Sequence, residues 1–157
     1  MEQNIEQQKP KLIILVGIPG CGKTTYANKF LRKKNTFVLS SDTIRKQVFG
    51  DENAQYNNDL IFSILFKRAK SKLKQGLNVV IDATNISASI RKKTLDYFSD
   101  LDLQRIATVI NAPREVCVSR DKNRTRSVGE DVVLKVARKY EPPTLEEGFD
   151  EIQIINT

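Results

Sequence analysis

The stretch Lys11-Leu12-Ile13-Ile14-Leu15-Val16, followed at once by Gly17-Ile18-Pro19-Gly20-Cys21-Gly22-Lys23-Thr24, decides how this chain is read. The apolar run has the length of a strand buried on both faces, and Thr25 to Arg32 reads as a helix. Between them, every position of the pattern G-x-x-x-x-G-K-[ST] is met, in the strand, loop, helix context that the pattern requires. Glycines let the backbone curl until its N–H groups point inward at phosphate oxygens, and the helix that follows adds its positive N-terminal end. Gly17, Ile18, Pro19, Gly20, Cys21, Gly22, Lys23, Thr24 and Thr25 are therefore the expected cradle of a nucleoside triphosphate, ATP or GTP. Lys23 would reach the β- and γ-phosphates, and Thr24 would offer its hydroxyl to Mg²⁺.

Outward from this loop, further strands are expected at Thr36 to Ser40, Leu77 to Ile81, Arg105 to Ile110 and Glu151 to Ile155. Helical stretches separate them. Alternating β and α elements imply an α/β protein with a mostly parallel five-stranded sheet and helices on both faces, the P-loop NTPase fold. Leu60, Ile61, Ile64, Leu65 and Leu73 recur at helical spacing and read as core, with Gly76 closing their helix. Arg114 to Arg126 reads as a helix running into a basic lid segment, and Asp131 to Tyr140 as another that Pro142-Pro143 ends. The 157 residues fit one domain, residues 11–157, behind a flexible N-terminal tail of residues 1–10.

Lys and Arg total 26 against 19 Asp and Glu, a net charge of +7, which favours an anionic partner. The excess is clustered. Lys29, Arg32, Lys33 and Lys34, then Lys67, Arg68, Lys70, Lys72 and Lys74, then Arg91, Lys92 and Lys93 read as solvated helix faces. Arg120, Lys122, Arg124 and Arg126 are set apart because they fall where lids of this fold lie. With no His and only Cys21 and Cys117, zinc chemistry and a disulfide framework are both disfavoured, and a reducing cytoplasm is the expected compartment. Met1 to Pro10 lacks the pattern of a signal peptide, and no stretch approaches membrane-spanning length, so no membrane partner is expected.

In sheets of this kind, ligands gather outside the carboxyl ends of the strands. Two strand ends besides the phosphate loop carry suitable groups. Asp42 can take a proton from an acceptor hydroxyl, and Arg45, three residues on in a presumed helix, would face the same side and hold an acceptor phosphate. Their bland alternatives are a helix N-cap for Asp42 and a surface charge for Arg45. Asp82 follows Val79-Val80-Ile81, where a carboxylate holds the magnesium shell or organises the site, although a purely structural role stays open. Thr84 and Asn85 are either acceptor contacts or plain turn residues. Position 83 is Ala, where hydrolases of this fold place a water-activating Glu, so transfer to a bound acceptor is favoured. The absence of D-x-x-G and N-K-x-D disfavours a regulatory GTPase. Arg120 and Arg124, four apart, would share a helix face and close over the γ-phosphate.

Taken in order, the glycine-rich loop, Ser40-Ser41-Asp42-x-x-Arg45, Val79-Val80-Ile81-Asp82-Ala83-Thr84-Asn85 and the run Cys117 to Arg126 resemble the kinase module of 5′-polynucleotide end-healing enzymes, from Lys11 to about Thr144. Tyr140 to Asp150 also resembles the end of that module, and equally of many small kinases. The resemblance implies that Lys23 and Thr24 bind the donor phosphates and Mg²⁺, and that Asp42 is the general base for a 5′-hydroxyl. It further implies that Arg45 grips the phosphate next to the accepting nucleoside, while Arg124 and Arg120 clamp the donor. Related enzymes often carry phosphatase or ligase domains, whereas these 157 residues are expected to form the kinase module by itself. The expected activity is an NTP- and Mg²⁺-dependent polynucleotide 5′-hydroxyl kinase, with a nucleic-acid 5′ end as substrate partner. A kinase of a nucleoside, sugar or antibiotic hydroxyl, a kinase of aminoacyl-tRNA and a non-catalytic nucleotide-binding protein are the alternatives. Oligomeric state stays open.

Overall fold

The computed structural model describes residues 8–52, 54, 56–125 and 127–157. Five strands form one all-parallel sheet: β1 (Lys11–Val16), β2 (Thr36–Ser40), β3 (Asn78–Asp82), β4 (Gln104–Asn111) and β5 (Glu151–Asn156), in the order β2-β3-β1-β4-β5. The strand leading into the phosphate loop is thus central. Its side chains divide by the period of two: Leu12, Ile14 and Val16 join one cluster with Ile61, Leu65, Phe98 and Phe149, and Ile13 and Leu15 join another with Ala27 and Val80. Both faces of β1 are therefore buried, which is why its sequence is apolar without alternation.

The helices are α1 (Lys23–Tyr26), widening into a π turn over Ala27–Leu31, then α2 (Ser41–Phe49), α3 (Asn58–Lys74), α4 (Ala88–Tyr97), α5 (Arg114–Lys122) and α6 (Glu130–Arg138). A short 3₁₀ turn, Leu145–Glu147, precedes β5. Ser40, not Asp42, caps α2, its hydroxyl accepting from the Thr43 N–H at 3.4 Å. Among the described residues, no helix is long and apolar enough to cross a membrane.

Four expectations are corrected. The helix expected to run from Arg114 to Arg126 stops at Lys122, because the fully buried Asp121 carboxylate gathers the chain that follows: it accepts from Arg124 Nη2, Ser127 Oγ and the N–H groups of Val128 and Gly129 at 2.9, 2.7, 3.1 and 2.9 Å. Arg124 lies in the turn beyond, so it does not share a helix face with Arg120. Leu60, expected in the core, occupies the first turn of α3 and is 40% exposed. Arg91, expected on a solvated face, is fully buried. Arg126 and residues 1–7 of the expected tail lie outside the described residues.

Candidate active site

The loop from Gly17 to Gly22 curls tightly. Gly20 and Gly22 have φ of 81° and 103°, and a Cβ on Gly20 would strike the carbonyl of Cys117. Lys23 folds back over the loop, its Nζ donating to Gly17 O at 2.9 Å and Ile18 O at 3.1 Å. The ammonium is thus held over the curl of backbone, where it would meet the oxygens of a bound phosphate. Thr24 donates its hydroxyl to Asp82 Oδ2 at 2.8 Å, and Asp82 is buried at the end of β3. An alcohol oxygen and a carboxylate side by side are hard oxygen donors of the kind Mg²⁺ takes together with phosphate and water. Those two residues would hold the ion, and the ion would neutralise the donor phosphates.

Beside them lies the end of β2. Ser40 is in register with Asp82, which brings the first turn of α2 next to the Thr24–Asp82 pair. Arg45, buried in that helix, donates to Asp42 Oδ1 at 2.7 Å, to Ser41 Oγ at 3.4 Å and to Asn58 Oδ1 at 3.3 and 3.0 Å. Asp42 itself keeps 44% of its side chain exposed. A fixed guanidinium and a solvent-facing carboxylate therefore form one unit, which can hold an anion while accepting a proton beside it. Asn58 was missed in the sequence, since nothing local marks the first residue of α3 as a partner of Arg45.

The Thr84 backbone and the Asn85 side chain both tie the end of β3 to its neighbour β1. Gly17 N–H donates to Thr84 O at 3.0 Å, and the buried Asn85 amide donates to Leu15 O at 2.8 Å, with φ of 49° at Asn85. Both bolt the end of β3 to the start of the phosphate loop. The Asn85 carbonyl in turn accepts from Arg91 Nη1 at 2.9 Å, and Arg91 pairs two-pronged with Glu147, Nε to Oε1 at 2.7 Å and Nη2 to Oε2 at 3.2 Å. Burial pushes the Glu147 carboxyl up, but hydrogen bonds from Arg91 and Thr144 and the Arg91 charge outweigh it, leaving the carboxyl below its usual range.

The basic segment expected as a lid begins on α5. Arg120 Nη1 donates to Cys21 O at 3.2 Å and to Thr157 Oγ1 at 2.9 Å, which ties this helix to the phosphate loop. Arg124 is held by Asp121, and its Nε is buried without a hydrogen-bond partner among the described residues, a donor suited to an anion. Asp121, too, falls below its usual range: burial opposes ionisation, and bonds from Ser127, Val128, Gly129 and Arg124 overcome that. A cavity of about 170 Å³ lies between the phosphate loop, the end of β4 and α6, lined by Ile18, Ile110, Arg114 and Tyr140 among others. A larger hollow of about 310 Å³ lies near Lys9, Lys11 and Asp150, at the opposite end of the sheet from these groups.

Residues 12–143 match a family model described as an AAA domain. The L-seryl-tRNA(Sec) kinase of Methanococcus maripaludis is 26% identical over 150 residues, covering 88% of this chain and 56% of its own. A chain of the Pnkp1/Rnl/Hen1 RNA repair complex superposes with a TM-score of 0.75 at 28% identity, over 88% of this chain and 46% of that one. Chaetomium thermophilum Kti12, solved with ADP-AlF3, gives a TM-score of 0.69 over 92% of this chain and 88% of its own, at 16% identity, a likeness of fold alone. The chain thus spans about half the length of the first two.

Proposed function

The chain belongs to the AAA domain family matched by its residues 12–143 and has the P-loop kinase fold, and on that premise we propose that it transfers the γ-phosphate of ATP or GTP to the 5′-hydroxyl end of a polynucleotide, with Mg²⁺. The observation that carries the reading is the 2.7 Å pair of Arg45 and Asp42 at the end of β2, beside the Thr24–Asp82 pair. A binder of nucleotide alone needs no such unit. The acceptor oxygen forms a bond to the γ-phosphorus as the bond from that phosphorus to the β–γ bridging oxygen breaks. Its proton passes to the Asp42 carboxylate, and the diphosphate leaves. Arg45 holds the phosphate on the 3′ side of the accepting nucleoside, Lys23 offsets charge on the donor, and Arg124 steadies charge as it shifts. The similarity to a chain of an RNA repair complex and to an L-seryl-tRNA(Sec) kinase supports an RNA-linked acceptor. The two free, buried thiols, Cys21 and Cys117, support a reducing compartment.

The test is Asp42→Asn. It is expected to keep nucleotide affinity and to lose on the order of 10²- to 10⁴-fold in transfer rate, the usual contribution of a general base. Collapse of nucleotide affinity with the rate per bound nucleotide intact would place Asp42 in the metal shell and overturn its role.

A further inference from the structure

Helix α3 begins at the acceptor clamp, where Asn58 takes two bonds from Arg45, and runs 17 residues to Lys74, about 25 Å, down to the amino ends of β2 and β3. Its two flanks differ. On one, Lys70 is paired with Asp100 at 3.0 Å and Phe66 packs on Tyr97 and Phe98. On the other, Arg68 leans toward α2, with Nη1 donating to Gln47 Oε1 at 2.9 Å, and Lys72 leans toward β2, with Nζ 4.3 Å from the centre of the Phe37 ring. Arg68 and Lys72 are one helical turn apart and form a ridge along the last strand on this side of the sheet.

At the foot of the ridge the chain before β2 comes alongside, Asn78 N–H donating to Asn35 O at 2.9 Å. That segment carries Arg32, Lys33 and Lys34, all exposed, and Phe30, a residue 53% exposed. No Asp or Glu occurs from residue 7 to residue 41 or from residue 60 to residue 81, and among the described residues none of these cations has an acidic partner.

We propose that this edge is a track for single-stranded nucleic acid, running from the acceptor clamp along Arg68 and Lys72 to a foot made by Arg32, Lys33, Lys34 and the Phe30 ring. Cations spaced along a narrow ridge suit a flexible chain of phosphates, and an exposed aromatic ring among them suits base stacking, which an acidic protein surface does not use. The track curves round the sheet edge from one end of the strands to the other, a path a flat lipid surface cannot follow. The inference rests on the function proposed above only for the identity of the strand, which would be the body of the acceptor.

A fluorescent single strand of about 16 nucleotides, within the span of known single-strand sites, is made with a 5′-phosphate so that it accepts nothing, and its binding is followed by anisotropy against salt. Wild type is expected to bind with a linear fall of log affinity against log salt. Arg32→Ala/Lys33→Ala/Lys34→Ala is expected to weaken binding at least 10-fold and to flatten the slope by about 2, at roughly 0.7 for each phosphate that the variant leaves unneutralised. Phe30→Ala is expected to weaken binding on the order of 10-fold with the slope unchanged. Thermal melts confirm that the variants fold. Wild-type affinity and slope in the triple variant would overturn the track, as would binding to acidic phospholipid vesicles in preference to the strand. If the strand binds as described but phosphate goes only to small molecules, the proposed function fails and the track stands.

Discussion

Replacing Arg91 by Met removes a side chain with no exposure, three hydrogen bonds and the counter-charge of Glu147, whose own side chain is only 14% exposed. What remains is a carboxylate without its counter-charge, held by Thr144 alone, and an unmet Asn85 carbonyl. Breaking a buried pair from one side costs about 3–5 kcal/mol, a large part of the roughly 5–15 kcal/mol that holds a domain folded. At this chain length each kcal/mol moves the midpoint by about 2–4 °C, so the melt should fall by about 6–20 °C. Arg91→Met/Glu147→Leu removes the stranded charge as well and should recover most of that loss. Both variants also release Asn85, which bolts Leu15 at the root of the phosphate loop, so both should bind nucleotide more weakly than wild type.

The pH dependence has a definite sign. The Glu147 carboxyl is depressed in the folded protein, so its pairing stabilises above the ordinary glutamate value of 4.5 and that stabilisation is lost as pH falls through the lowered folded value. Without Arg91 the same carboxyl is buried with its Thr144 bonds but no counter-charge, and protonation relieves it. The gap between wild type and Arg91→Met should therefore narrow as pH drops below about 5. Thermal melts followed by circular dichroism, with nucleotide titrations alongside, check this. Equal destabilisation in the single and double variants, with a gap that does not respond to pH, would show that Arg91 does not act as the counter-charge of Glu147.

Lys23→Ala should abolish transfer and leave the melt unchanged, since its ammonium rests on the loop's own carbonyls rather than in the core; unaltered turnover would remove it from the donor site. Arg124→Ala should lower the transfer rate more than it weakens ADP binding, because a cation is needed most as charge shifts; pre-steady-state transfer and ADP titration compare the two directly. Gly20→Ala forces a side chain onto a φ of 81° and against Cys117, and should cost about 1–3 kcal/mol by urea unfolding while also weakening nucleotide binding.

The central strand and its loop were legible because both rest on local pattern: an apolar run of strand length, then glycines and a lysine at fixed spacing. The Asp42–Arg45 neighbourhood was legible for the same reason, since three residues in a helix place two side chains together. The rest depends on partners distant in the chain. Arg91 sits in a run of three cations, and nothing local reveals that Glu147, 56 residues on, buries it. The early end of α5 is set by Asp121, which looks like one acid in a basic run until its four bonds close the following turn. The bond from Asn85 to Leu15, 70 residues earlier, was likewise invisible to local pattern.

The acceptor is the centre of the account, and one experiment reaches it directly. Purified protein with Mg²⁺ and γ-labelled ATP is offered, in parallel, a 5′-hydroxyl oligonucleotide, a nucleoside 3′-monophosphate, a bare nucleoside, seryl-tRNA, a sugar and buffer alone. Label should go to the oligonucleotide and, more slowly, to the nucleoside 3′-monophosphate, whose phosphate gives Arg45 something to hold, with little to the bare nucleoside. Label passing instead to seryl-tRNA, to the sugar or to the bare nucleoside in preference to every 5′-hydroxyl strand would contradict the account.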